Sequence, residues 1–152
     1  MTLQAGAIRV KNDSLGQDVY VPPLSRWFIR TAVIYLALSL ATGVVQVTST
    51  TLIPILWPTY THFLVVGWLT QLIFGVALWL FPRRLQATSS VHSALGWGCY
   101  WLLNLGLLLR AVGEPARAMG YRTDPVLAGA ALLQLLAGWI FGLLIWPRIR
   151  ER

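Results

Sequence analysis

Four runs of mostly apolar residues, each about as long as a bilayer is thick, constrain this chain more than any other feature of it. A hydrocarbon core of ~30 Å takes about 20 residues of α-helix to cross, and Trp27 to Leu52, His62 to Phe81, Ser93 to Ala111 and Val126 to Trp146 all meet that length. Ten-residue stretches of alternating polarity do not occur, and an open sheet leaves backbone groups unsatisfied in lipid, so helices are the expected form. Of the 152 residues, 57% are apolar and 11% charged, a balance foreign to soluble domains. The sequence predicts an all-α integral membrane protein, a four-helix bundle within the bilayer.

The cations set its expected orientation. Arg9, Lys11, Arg26, Arg30, Arg83, Arg84, Arg148, Arg150 and Arg152 fall on one side of the four spans, and Arg110, Arg117 and Arg122 on the other. That excess predicts that both termini are cytoplasmic, with the first span running outward, and a multi-pass protein of the inner (cytoplasmic) membrane. Trp27, Trp57, Trp79 and Trp146 lie near span ends, where indoles favour the headgroup region. The net charge of +7 is scattered beside apolar segments, so the cations read as topology signals and nucleic acid is not an expected partner.

Residues 1–25, with Asp13, Gly16, Asp18 and Pro22-Pro23, read as a cytoplasmic arm without a cleavable secretion signal, and 26–152 as the transmembrane domain. Gly113 to Pro125, which carries Glu114, Arg117, Arg122 and Asp124, is expected to form the longest loop between spans, over the outer mouth of the bundle.

At 100° per residue, Tyr35, Ser39, Thr42, Gln46 and Ser49 form one stripe on the first helix that should face protein. On the second, His62, Val66, Leu69, Ile73 and Val76 share a face, and Gly67, Gln71, Gly75 and Leu78 share nearly the opposite one. The histidine face suits either the wall beside a flat apolar macrocycle or contact with lipid. The third helix aligns His92, Gly96, Cys99, Leu103, Gly106 and Arg110 as a narrow ridge of small residues, on which Cys99 is expected to pack rather than ligate. Asn104 and Gln134 are expected to hydrogen-bond between helices, and Gly138 and Gly142 form a GxxxG pair suited to close helix contact or dimerisation.

A lone intramembrane histidine suggests heme, since imidazole ligates iron and a porphyrin needs apolar walls. His62 and His92 both start their expected spans, which run antiparallel, so they sit on opposite membrane faces ~25 to 30 Å apart. One iron cannot be clamped by both. His62 alone, His62 with a histidine from another chain, or no metal at all remain open. Arg110, expected on the side of His62, can meet heme propionates or pair with Glu114 one turn later. No nucleophile lies beside a base, no phosphate loop is present, and the expected spans hold no Asp or Glu to relay protons.

The run His62-Phe63-Leu64-Val65-Val66-Gly67-Trp68-Leu69-Thr70-Gln71-Leu72-Ile73-Phe74-Gly75-Val76-Ala77, closing in Phe81-Pro82-Arg83, resembles the second helix of heme-copper oxidase catalytic subunits and their nitric oxide reductase relatives. Ser25-Arg26-Trp27-Phe28-Ile29-Arg30 leading into Leu40-Ala41-Thr42-Gly43 resembles the opening helix of those subunits. Leu95-Gly96-Trp97, Asn104-Leu105-Gly106 and Leu109-Arg110 look like their small relatives.

The likeness covers about four of a dozen helices. It implies that His62 is an axial ligand of a b-type heme near the outer leaflet. The later histidines that complete the heme and copper sites of the full-length family are missing, and Tyr60 stands where some relatives carry a further histidine. A binuclear oxygen or nitric oxide centre is therefore excluded for this polypeptide alone, and it holds no complete catalytic centre. The expected role is electron transfer, sensing or accessory work in respiratory or nitric oxide metabolism, as a homo-oligomer or with respiratory complex subunits. A cofactor-free structural subunit of a larger membrane complex is the alternative.

Overall fold

The computed structural model describes residues 22–80 and 90–150, and within them every long segment is helical. Helix α1 spans Pro23–Thr48, and a short 3-10 turn, Thr50–Leu52, leads into α2, Ile53–His62. A π-helical segment, Phe63–Thr70, follows without a break and passes into α3, Gln71–Leu80. Helices α4, Ser90–Ala118, and α5, Asp124–Arg150, complete the bundle. Four helical rods are long and apolar enough to cross a membrane: α1, the continuous Thr50–Leu80, α4 and α5. Most of the expected arm and the Pro82-Arg83-Arg84 stop lie outside the described residues.

Two rod boundaries differ from those read in the sequence. The second rod begins near Thr50 rather than at His62, because Pro54 sits in the first turn of α2, where a missing N–H costs nothing. Pro58 is then carried inside the helix. The third rod runs on to Ala118 through Pro115, so most of the expected outer loop is helix, and the link to α5 is only 119–123. Glu114 thus lies inside a membrane-length helix. The polarity that marked it as loop is satisfied by neighbours within the bundle.

Packing follows small residues. Ser25 on α1 donates to the Gly75 carbonyl of α3 at 2.6 Å, and a Cβ on Gly75 would fall 2.8 Å from Ile29. Phe28, fully buried, meets Phe74 and Tyr100 edge-on. Phe74 stacks on Phe141 with centroids 3.6 Å apart, joining α3 to α5. Gly96 admits Leu24, and Gly106 lets α5 approach so closely that a Cβ would meet the Ala130 carbonyl at 3.0 Å. The expected protein-facing stripe on α1 is buried at Tyr35, Ser39 and Gln46. Cys99 packs as expected, buried with Sγ 3.2 Å from the Ala137 carbonyl.

The π segment decides which way the second rod faces. Regular α geometry advances about 100° per residue, which puts His62 and Gln71 on opposite faces. Closing i→i+5 turns lowers the advance to roughly 80°, so the eight residues of this segment lose on the order of 150°. His62 and Gln71 consequently both reach α4. The expectation of opposed faces is corrected by this one stretch. The wider coil also presses Gly67 against Tyr35, where a Cβ would lie 2.6 Å from Cγ. Gly67→Ala is expected to lower stability by about 1–3 kcal/mol in detergent unfolding. Gly138→Ala, where a Cβ meets nothing within 4 Å, should leave the curve in place.

Candidate functional site

Glu114 is a buried charge around which one end of the bundle is arranged. A carboxylate out of water needs partners for each oxygen, and α4 alone supplies one. Arg110, one turn earlier, donates Nη1 to Oε1 at 3.1 Å. The second rod supplies the rest. Thr59 on α2 donates its hydroxyl to Oε2 at 3.2 Å, and His62 Nδ1 lies 2.9 Å from Oε1. The Glu114 side chain is only 6% exposed.

Arg110 extends the cluster to α5, with Nε donating to Gln134 Oε1 at 3.0 Å. Its guanidinium is thus directed at Glu114 and Gln134, which is the ion pair foreseen as one of its two roles. Gln134 presents its oxygen to Arg110, so its Nε2 is left as a buried donor without a partner. Deeper in the bundle, Asn104 donates Nδ2 to the Tyr100 carbonyl at 2.8 Å and accepts from Gln71 Nε2 at 3.2 Å. Gln71 Oε1 remains over. Asn104 and Gln134 therefore both bond between helices as expected.

His62 is held in a defined state. Its Nδ1 lies 2.9 Å from both Glu114 Oε1 and the Pro58 carbonyl, and neither a carboxylate nor a carbonyl can donate. Nδ1 must therefore carry the proton. In the neutral ring the lone pair is then on Nε2. The ring is 28% exposed, so it is not sealed inside the bundle. A carboxylate on the far nitrogen of an imidazole is the arrangement usual for metal-ligating histidines.

His92 is distant from all of this. It lies on α4 twenty-two positions before Glu114 (114 minus 92), a rise of ~33 Å, so the two histidines cannot share one iron within a chain. Among the described residues, no group of three or more His, Cys, Asp or Glu side chains is placed to hold a metal ion.

Among the described residues nothing packs on the GxxxG pair: a Cβ on Gly138 or Gly142 would meet nothing within 4 Å. With Trp139, Leu143 and Trp146 these glycines line an open apolar groove of about 400 Å³ along α5.

Sequence reasoning missed Thr59 and Glu114 as partners of His62. Glu114 read as loop, and α periodicity turned His62 away from α4. The available signal was the spacing of Arg110 and Glu114, an i,i+4 pair that is helical wherever it forms. No family model matches the chain, and no curated protein or solved structure is found to be similar to it.

Removing the cation alone leaves the carboxylate buried and under-compensated. Arg110→Met is expected to cost about 3 kcal/mol, and adding Glu114→Leu should recover much of the loss. Unfolding of the single and double variants in detergent checks this.

Proposed function

We propose that this chain is a membrane heme-binding protein in which His62 Nε2 takes an axial position on a b-type heme near the outer leaflet. The observation that carries the reading is the state of the imidazole, with its proton on Nδ1 between Glu114 and the Pro58 carbonyl and a lone pair on Nε2. A bound heme would supply one-electron or gas-binding chemistry. The chain supplies the ligand and its orientation. Trp57, Val65, Leu69 and Ile73 are apolar and exposed on the same rod, so a second chain, a copy or a larger respiratory subunit, is proposed to complete the apolar walls. Arg110 is engaged within the bundle and does not present a propionate clamp in this arrangement. The residues present fit one ligand and its support.

Electron transfer, gas sensing or an accessory role in respiratory or nitric oxide metabolism follows from such a site. Cytoplasmic termini in an inner membrane are part of the same proposal, and they place His62 on the outer side.

A second reading rests on a different observation. The open α5 face with Gly138 and Gly142 favours a cofactor-free structural subunit that docks against another membrane chain.

The purified protein should show a reduced-minus-oxidised heme spectrum that disappears in His62→Ala. A heme-free wild type, or a spectrum unchanged in the variant, contradicts the heme reading. Bulky substitutions at Gly138 and Gly142 that abolish a native-gel complex while His62→Ala preserves it would favour the structural one.

A further inference from the structure

We propose that the bundle binds one buried water between Gln71 Oε1 on α3 and Gln134 Nε2 on α5, and that this water joins two polar clusters of the protein into one network. The site is independent of the heme reading above.

The donor and acceptor roles in both clusters are forced. The Tyr100 carbonyl can only accept, so Asn104 turns Nδ2 to it at 2.8 Å. That leaves Asn104 Oδ1 facing Gln71, which answers with Nε2 at 3.2 Å and keeps Oε1 over. On the other side a guanidinium can only donate. Gln134 therefore turns Oε1 to Arg110 at 3.0 Å and keeps Nε2 over. Flipping either amide would set oxygen against oxygen or N–H against N–H. Among the described residues, these two atoms are the buried side-chain polar atoms without a partner, one an acceptor and the other a donor. Gln71 is completely buried, and an unmet polar group away from water is costly.

Both atoms belong to the same region of the bundle. The second rod runs antiparallel to α4, since Thr59 meets Glu114 and Gln71 meets Asn104. Helix α5 does the same, since Gln134 meets Arg110 and the Ala137 carbonyl meets Cys99. The second rod and α5 are thus parallel, and Phe74 stacked on Phe141 fixes their register. At 1.5 Å per residue Gln71 stands ~4.5 Å and Gln134 ~10.5 Å beyond that pair, an offset of about 6 Å. The α4 side agrees: Gln71 bonds Asn104, and Gln134 Cγ lies 2.8 Å from where a Cβ on Gly106 would stand. Two hydrogen bonds through a water span up to about 6 Å.

One water accepts from Nε2 and donates to Oε1, so a single neutral molecule meets both atoms. A cation suits Oε1 alone and an anion Nε2 alone, and either brings an unpaired charge into an apolar setting. Thr31 on α1 shares a hydrogen bond of 2.8 Å with the Tyr100 hydroxyl. The network then reaches from Thr31, through Gln71 and Gln134, to Thr59 on α2, and ties all four rods together.

The test uses the full chain in lipid nanodiscs with ¹⁵N-labelled glutamine, and Gln71→Met and Gln134→Met assign the two side-chain amide signals. In the wild type the Gln134 amide protons should show a through-space cross-peak to water, with the sign of a bound molecule rather than of proton exchange. In Gln71→Met the water loses its acceptor, and that cross-peak should be lost. Should Gln71→Met not fold, a crystal structure of the wild type grown from a lipidic mesophase decides, with one water expected within about 3.2 Å of both atoms. A wild type without the cross-peak, a cross-peak that persists in Gln71→Met, or a direct hydrogen bond between the two amides overturns the proposal.

Discussion

A carboxylate enclosed by an apolar bundle must be surrounded by donors, and meeting that requirement at Glu114 organises one end of this protein. Its two oxygens take a guanidinium from α4 and a hydroxyl and an imidazole from α2. Through Arg110 the cluster reaches Gln134 on α5. Three of the four membrane-length rods are therefore joined by one charge and its partners. Such pairs add little net stability against well-packed apolar residues, but they discriminate strongly among helix registers, since any shift strands a charge. In lipid, where apolar faces do not distinguish partner from solvent, that discrimination matters more.

The cluster exists only because the second rod is not a regular helix. Its π segment turns His62 and Gln71 toward the same neighbour, so one rod serves α4 at two depths, through Glu114 and through Asn104. Gly67 and Gly75 meanwhile hold the same rod against α1. Insertions of this kind are often found at functional sites. Here the insertion begins at the residue immediately after His62, and the physical consequence is the pairing of an imidazole with a buried acid.

Much of the fold was legible in the sequence because membrane spans are written in composition. Four apolar runs give four rods, and small residues such as Gly96 and Gly106 mark where helices approach. The mid-span amides Asn104 and Gln134 found interhelical partners, and Cys99 packs. Rod ends were less legible: the second rod starts ahead of His62 with Pro54 in its first turn, and Glu114 looks like loop until its donors are in place. The face of His62 was not legible at all, because a periodicity argument assumes one angle per residue and the π segment changes it. The Arg110–Glu114 pair could be named as one of two roles for Arg110, yet the contact of Glu114 with His62 could not, since Glu114 belongs to a segment whose polarity argued for solvent.

The central claim is that His62 and Glu114 interact directly across two helices. A double-mutant cycle with His62→Ala, Glu114→Ala and both together, read by reversible unfolding in detergent, measures that interaction without reference to any cofactor. Direct contact predicts a coupling of about 1–3 kcal/mol. Losses that simply add would place the two side chains apart and contradict the account.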